Sequence, residues 1–378
     1  MISYADVEKL LAVRSEDPPV LSLYLEVPLD LPALRGLPAR AGELLNSAAG
    51  APCGPDDRDA VRVLTHARQV VNRLLEDSAR DWLGRCVAFF VCGPAGLAEA
   101  VPLPAGLDEQ AVFGPRPHVR PLLLTLQRHP SYRVAVVNRR YAWLFAVTGD
   151  RIGTTAEPTA PGVRSPRYGG WYGLESHRIN ERIATLTHHH FQDTAGILAQ
   201  AIRIGQEPFV VGGHADTIPQ FLATLAADVR DRFAGSFLAD TSTMTPARVR
   251  GLAEPIIRNW VDKSGQQLVT RIRQEPPGGL AATGLLACLS AVRQHAVRTL
   301  AVPREGLVPG FACRQCGALG ATGTGCAHQG TAAFAVPDLI EELAVTTIHD
   351  GGQVQAVPDP PGGVAAYLRF PVRPSGRT

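Results

Sequence analysis

The spacing of hydrophobic and polar positions changes repeatedly along this chain, and each change marks an expected element. Residues 5–13 show helical spacing, and residues 20–27 form an apolar run of strand length that Pro28 ends. Residues 29–54 have no readable period. From Pro55 or Asp56 to Arg80, a helix is expected with Val61, Leu64, Ala67, Val71, Leu74 and Leu75 on one face, Pro55 suiting its first turn. Residues 86–92 are apolar throughout, the mark of a central strand covered on both faces. Its two cysteines, Cys86 and Cys92, lie at opposite ends of that strand, too far apart to share an ion. Residues 118–130, punctuated by Pro121 and Pro130, read as a linker.

The middle of the chain has the clearest pattern. Residues 132–138 and 142–147 read as a strand hairpin, followed by the turn Thr148-Gly149-Asp150. Residues 158–171 are then too rich in proline, glycine and arginine to bury. A long helix is expected from Leu174 to about Ile204, with Leu174, Ile179, Ile183, Leu186, His190, Ile197, Leu198 and Ala201 forming its apolar stripe. His177, Arg178, Arg182, His188 and His189 fall mostly off it. A strand at 208–211 turns through Gly212 and Gly213 into a helix near Asp216, followed by a strand at 236–239 and a helix at 245–260. The last third reads as helix 279–292, strand 297–302, helix 337–349 and strands 353–357 and 364–370.

Length adds a domain count. At 378 residues two or three domains are expected. The boundaries fall at 1–129, 130–274 and 275–378, with a cysteine-rich insertion at 311–330. Hydrophobic residues make up 45% and charged residues 19%, as in an ordinary globular chain, and no apolar run reaches the roughly 18 residues of a membrane span. The first residues lack a secretion signal, so a cytoplasmic location and no membrane partner are expected. The net charge of +2 does not demand a nucleic-acid partner. Only Lys9 and Lys263 among the 37 basic residues are lysine, which reads first as a coding bias, although guanidinium forks also suit phosphates.

Candidate chemistry is concentrated in a few places. Cys313-x-x-Cys316 and Cys326-x-His328, on glycine-rich turns, offer four soft ligands to a structural zinc, with the alternative of a degenerate, metal-free knuckle. Asp150, Glu157, Asp193 and Asp216 are the carboxylates a two-metal nuclease would need, but a hairpin turn explains Asp150 and a helix cap explains Asp216. The triple histidine 188–190 cannot converge on one ion, because successive helical side chains point about 100° apart. Gly212-Gly213 before a helix is either an anion cradle or a tight turn. Gly351-Gly352-Gln353 reads as a helix end leading into a strand, not a catalytic loop.

The order of strand, strand, Gly-Gly loop with arginines, long helix and strand resembles the central domain of the archaeal and eukaryotic class-one release factors and Pelota. It is most similar to their bacterial archaeo-eukaryotic release-factor-like relatives, which include Balon-type ribosome hibernation factors. The resemblance implies an α/β fold with a ribonuclease-H-like central domain and a C-terminal α/β sandwich similar to kink-turn RNA-binding ribosomal proteins. Where the family carries Gly-Gly-Gln, this chain reads Gly169-Gly170-Trp171. The implied RNA contacts are Arg164, Arg167, Gly169, Gly170, Trp171, Arg178 and Arg182, with no catalytic residue assigned. The implied partners are the ribosome, through ribosomal RNA and tRNA, and an elongation-factor-like GTPase. The expected function is hibernation, rescue or recycling. The alternatives are a peptidyl-tRNA hydrolase or release factor using a variant loop, and an RNA-binding adaptor.

Overall fold

A computed structural model describes residues 4–15, 18–50, 57–149, 151–159, 173–205, 207–240, 244–313, 316–321 and 333–372. Two compact units emerge, one of Met1–Gln127 with Ser264–Thr378 and one of Arg128–Lys263. The fold is mixed α/β, and the N- and C-terminal segments of the first unit each build their own sheet.

The N-terminal segment runs α1 (Tyr4–Ala12), β1 (Val20–Glu26), α2 (Leu37–Ala49), α3 (Asp57–Ser78), β2 (Cys86–Cys92), β3 (Leu97–Leu103), β4 (Gln110–Gly114) and α4 (Arg120–Arg128). Its antiparallel sheet has the order β3-β2-β1-β4. Alternation explains why β1 and β2 are apolar throughout. Leu21, Leu23 and Leu25 pack with Leu45, Val71 and Leu75 on one side, while Tyr24 and Phe90 pack with Val7, Leu10 and Leu122 on the other. Burial, then the charges of Glu26 and Glu109, push the Cys86 thiol up to about 12, which fits a core residue.

One stretch without an expectation is filled here, and one expectation fails. The unreadable stretch 29–54 holds α2, whose buried Leu37, Ala41, Leu45 and Ala48 follow a helical spacing diluted by small residues. The expected linker 118–130 contains α4, with Leu122, Leu123 and Leu124 buried. Pro121 does not stop this helix because it occupies the first turn, where a missing amide leaves no bond unmade.

The central unit contains β5 (Tyr132–Val137), β6 (Ala142–Thr148), β7 (Arg151–Ala156), α5 (Gly173–Gly205), β8 (Phe209–Gly213), α6 (Thr217–Ala223), α7 (Ala227–Arg230) and β9 (Phe233–Leu238). The helix α8 (Pro246–Gln274) begins in it. Strands are ordered β7-β6-β5-β8-β9, antiparallel on the first side and parallel from β5 through β9, which is the ribonuclease-H-like arrangement. The edge strand β7 had no sequence signal, since Arg151, Gly153, Thr154 and Thr155 are exposed. One face packs Phe191, Leu198 and Ile202 of α5, and the other packs Val249, Ala253 and Ile257 of α8.

The C-terminal segment adds β10 (Ala281–Thr283), α9 (Leu285–Arg293), β11 (Val297–Pro303), β12 (Gly310–Cys313), β13 (Leu319–Gly320), β14 (Ala333–Val336), α10 (Leu339–His349), β15 (Gln353–Val357) and β16 (Ala365–Leu368). These form a sheet β10-β16-β11-β15 and a small sheet β13-β12-β14. The expected helix 279–292 is therefore shorter. Ala281–Thr283 pairs with β16, and Gly284, at φ +82°, turns the chain into α9. At Gly351-Gly352-Gln353 the chain ends a helix and enters β15: Gly351 has φ +70°, and Gly352 donates to the Thr347 carbonyl at 2.8 Å.

Within the first unit, buried charges tie α4 to α10. The Glu341 carboxylate accepts from the Val119 amide and from the Arg120 amide at 3.0 Å, so an anion from one helix satisfies the first donors of another. His118 Nδ1 meets the same carboxylate at 2.5 Å, and the His118 backbone is held by Ser22 Oγ and by the Tyr24 hydroxyl. Arg120 pairs with Asp338 at 3.0 Å, and Asp338 in turn caps α10 through the Ile340 amide and accepts from Val308. Arg116 and Glu342 form a third pair. Burial works against the Glu341 charge, but His118, the Val119 amide and Arg120 outweigh it and hold the carboxyl below its usual range.

Removing one partner leaves buried charge uncompensated. Glu341→Ala is expected to cost about 3–5 kcal/mol, the scale for breaking a buried pair. Urea unfolding of wild type and variant checks this, and an unchanged midpoint refutes the role given to this carboxylate.

Candidate functional site

The central unit presents a well-defined hairpin tip, residues 138–141 between β5 and β6. Its turn is built by Asn138. The side-chain oxygen accepts from the Arg140 and Tyr141 amides at 2.8 and 2.7 Å, and the Asn138 amide donates to the Tyr141 carbonyl at 2.9 Å. Two more elements grip the same backbone. The Ala142 amide donates to Pro158, with an isolated bridge between Tyr141 and Thr159, and the buried ring of His190 on α5 lies beside the Tyr141 backbone. The tip is thus fixed beside Pro158 and Thr159, which follow β7.

Side chains on this tip are aromatic and cationic. Tyr141 and Trp143, two residues apart on one face of β6, have ring centroids 6.0 Å apart at 36°. The Arg140 guanidinium lies 5.3 Å from the Tyr141 centroid, and Arg139 pairs with Asp216 at 2.8 Å in the open. Residues 128–263 carry sixteen basic and twelve acidic side chains, against twenty-one and twenty-three in the remainder. The overall +2 therefore conceals a positive central unit and a negative remainder.

Of the residues expected to contact RNA, Arg164, Arg167, Gly169, Gly170 and Trp171 lie outside the described residues. Arg178 lies on α5 with its side chain outside the description, and Arg182 lies on α5 exposed. Sequence reasoning missed Arg139, Arg140, Tyr141 and Trp143. A signal existed, because Asn-Arg-Arg-Tyr sits between two strand-like runs and two charges in a hairpin turn must face solvent. The triple histidine divides as helical geometry requires, with His188 and His189 exposed and His190 buried.

Other candidates resolve structurally. Gly212 and Gly213 end a buried strand, and close packing explains them: a Cβ would stand 2.5 Å from the Phe237 ring at Gly212 and 2.5 Å from the Val137 carbonyl at Gly213. The following α6 has seven residues and carries no anion-site evidence. Asp216 occupies its N-cap position but makes no side-chain cap bond there, pairing with Arg139 instead. Glu157, Asp193 and Asp216 do not converge among the described residues, and Asp150 lies outside them.

For zinc, Cys313 is buried at the end of β12 and Cys316 is exposed. Gly317, at φ +68°, donates to the Cys313 carbonyl at 2.9 Å, and Cys313 donates to Ala318 at 2.9 Å. This tight turn suits a two-thiolate knuckle. Cys326 and His328 lie outside the described residues. His118, Asp338 and Glu341 also group within 4.8 Å, yet hydrogen bonds and Arg120 already engage both carboxylates. That cluster is an ion-pair network, since a cation there would have to compete with a guanidinium.

Comparison with known proteins places the central geometry. Residues 117–254 match the family model Bacterial archaeo-eukaryotic release factor family 10. This segment is release-factor-like. The match spans the hairpin, α5, the parallel strands and the start of α8. No curated protein matches the sequence. Among solved structures, the archaeal translation termination factor aRF1 aligns at 14% identity over 97% of both chains with a TM-score of 0.25. A ribosome-bound archaeal Pelota, described with ABCE1, aligns at 19% identity over 76% of this chain and 78% of its own, TM-score 0.40. Dom34 of S. cerevisiae, a translation termination-like factor interacting with Hbs1, aligns at 8% identity over 77% and 81%, TM-score 0.42. At these TM-scores the structural likenesses carry no further weight. The release-factor-like segment begins at the buried 117–120 stretch.

A half-buried and a buried histidine are expected to make the release-factor-like segment pH-sensitive. Burial lowers both His129 and His190 below the ordinary 6.5. Protons then bind the unfolded chain better than the folded one, so their contribution is intact above about pH 6.5 and is lost as pH falls toward the folded values. Hydrogen exchange at β5 and β8 amides is expected to show falling protection from about pH 7 to pH 5, less steeply in His190→Asn. Equal slopes in both proteins would remove His190 from this account.

Proposed function

We propose that the protein is a cytoplasmic, ribosome-associated translation factor acting in hibernation, rescue or recycling. The observation that carries this is the family-model match over residues 117–254, which takes in the hairpin, the loop 158–171 and α5. In this reading Arg164, Arg167 and Trp171, with Arg178 and Arg182 on α5, contact ribosomal RNA or tRNA, the arginines on phosphates and the indole on a base. Gly169-Gly170-Trp171 lacks the family's glutamine. A binding role therefore fits the loop better than peptidyl-tRNA hydrolysis, which is the second reading. An elongation-factor-like GTPase is the proposed delivery partner.

Cys313, Cys316, Cys326 and His328 are proposed to hold one structural zinc. Four protein ligands leave no position open for chemistry, so the ion would contribute folding energy alone. The tight Cys313–Gly317 turn supports the first half of that ligand set.

Sedimentation with ribosomes tests the first reading, with association expected under stationary-phase or cold-stress conditions and none under any condition counting against it. Trp171→Ala is expected to weaken association by roughly 1–3 kcal/mol, the scale of base stacking on an aromatic ring, with Tm unchanged. Release of labelled peptide from stalled ribosomes by the purified protein would favour the hydrolase reading instead. For zinc, protein purified without chelator is expected to carry about one metal per chain, lost in Cys313→Ser, and a metal-free wild type discards the site.

A further inference from the structure

Tyr141 is a surface side chain whose ring meets Trp143 and Arg140. It is 39% exposed and belongs to none of the core clusters, although it sits on a strand end whose backbone is unusually well held. The turn is closed by Asn138, which uses only backbone atoms of Arg140 and Tyr141. Its anchoring by Pro158 and Thr159 also involves the backbone alone. The fold thus fixes where the Tyr141 ring starts without depending on the ring. Trp143 differs: it packs partly against the core that faces α8, which gives the pair one supported ring and one open ring.

The charges around this pair narrow the ligand. Arg140 rests over the Tyr141 ring at 5.3 Å, and Arg139 is held by Asp216 with both side chains more than half exposed. A phosphate can draw away either guanidinium, because an exposed pair and an exposed cation–π contact each stabilise by about 1 kcal/mol or less. When Arg140 leaves, it uncovers an aromatic face that a planar base can take. An aromatic pair flanked by two guanidinium groups, on the positively charged unit of the chain, matches the chemistry of a single-stranded nucleic acid. An acidic peptide would use the arginines but would have no need of the open ring.

We propose that the hairpin tip is a second RNA contact, in which an unpaired base stacks on Tyr141 beside Trp143 while Arg139 and Arg140 hold its flanking phosphates. Rigid anchoring keeps the ordering cost low, since the platform exists before the nucleotide arrives. The site consists of different residues from the 160–172 loop. It extends the ribosomal reading without needing it, because free RNA is sufficient to test it.

The test uses the full chain and a fluorescent, unstructured RNA of about twelve nucleotides, within the span such grooves bind. Tyr141→Ala is expected to weaken binding about tenfold with Tm unchanged, while Tyr141→Phe, which keeps the ring, stays within about twofold. Arg140→Gln is expected to flatten the salt dependence by about 0.7 in the log–log slope, the value for one phosphate on a single strand. Wild-type protein that fails to bind this RNA at about 100 µM, the weak limit of non-specific association, overturns the proposal. Full affinity in Tyr141→Ala also overturns it. If that variant keeps RNA affinity but loses ribosomes, the ring contacts ribosomal protein. If RNA binding behaves as expected and wild type still ignores ribosomes, the ribosomal reading fails and the hairpin site stands.

Discussion

The first unit depends on a carboxylate that no neighbouring residue in sequence could supply. Glu341, on α10, caps the start of α4 across 222 positions of chain. Helix N-termini carry unsatisfied amides and partial positive charge, and burying one without an acceptor is costly. An anion brought from the other segment removes that cost only when both segments are in place. His118 and Arg120 then stabilise the charge, while Asp338 ends the series by capping its own helix. A hydrophobic contact here would tolerate sliding, whereas three directional bonds to one carboxylate do not. Leu124 of α4 lies in the C-terminal core, and Val345 and Ile348 of α10 pack on the N-terminal one, so apolar burial and the ionic network fix the same register.

In the central unit the equivalent constraint is the closeness of neighbouring strands at β8. Gly212 and Gly213 leave no space for a side chain, because Phe237 and the Val137 carbonyl already occupy it. With α5 on one face and α8 on the other, the parallel strands are buried on both sides, and their ends are where chain leaves the sheet. The hairpin tip is such an end. It is positioned by backbone bonds, which frees Arg139, Arg140 and Tyr141 to differ from what packing alone would select.

Elements with strong periodicity could be read from residues alone. The run 86–92, the 132–147 hairpin and the long helix were legible because each buries a face that sequence alternation records. α2 was not, because its stripe uses Ala41 and Ala48, which carry little hydrophobic signal. α4 was mistaken for a linker because prolines dominate its surroundings, and only position within the first turn makes Pro121 harmless. Nothing in the sequence announced that Glu341 meets His118, since pairs so distant leave no local pattern. The release-factor-like character was legible through the order of elements, and the family match covers that same stretch.

The distribution of charge bears on how such a protein would meet RNA. A near-neutral total argues against strong binding only if charges are evenly mixed, and here they are not: the central unit is positive and the remainder negative. Attraction to phosphate would therefore act on residues 128–263 and be opposed elsewhere, which orients an approach before any contact forms. Electrostatics of this kind is screened within about 10 Å at moderate salt, so it steers but does not specify. Specificity must come from groups with shape. On the described surface of this unit, the Tyr141–Trp143 pair combines a fixed backbone, an open ring and adjacent cations. Steering by the unit as a whole and stacking at one rigid tip would be separable contributions, the second touching the core only through Trp143.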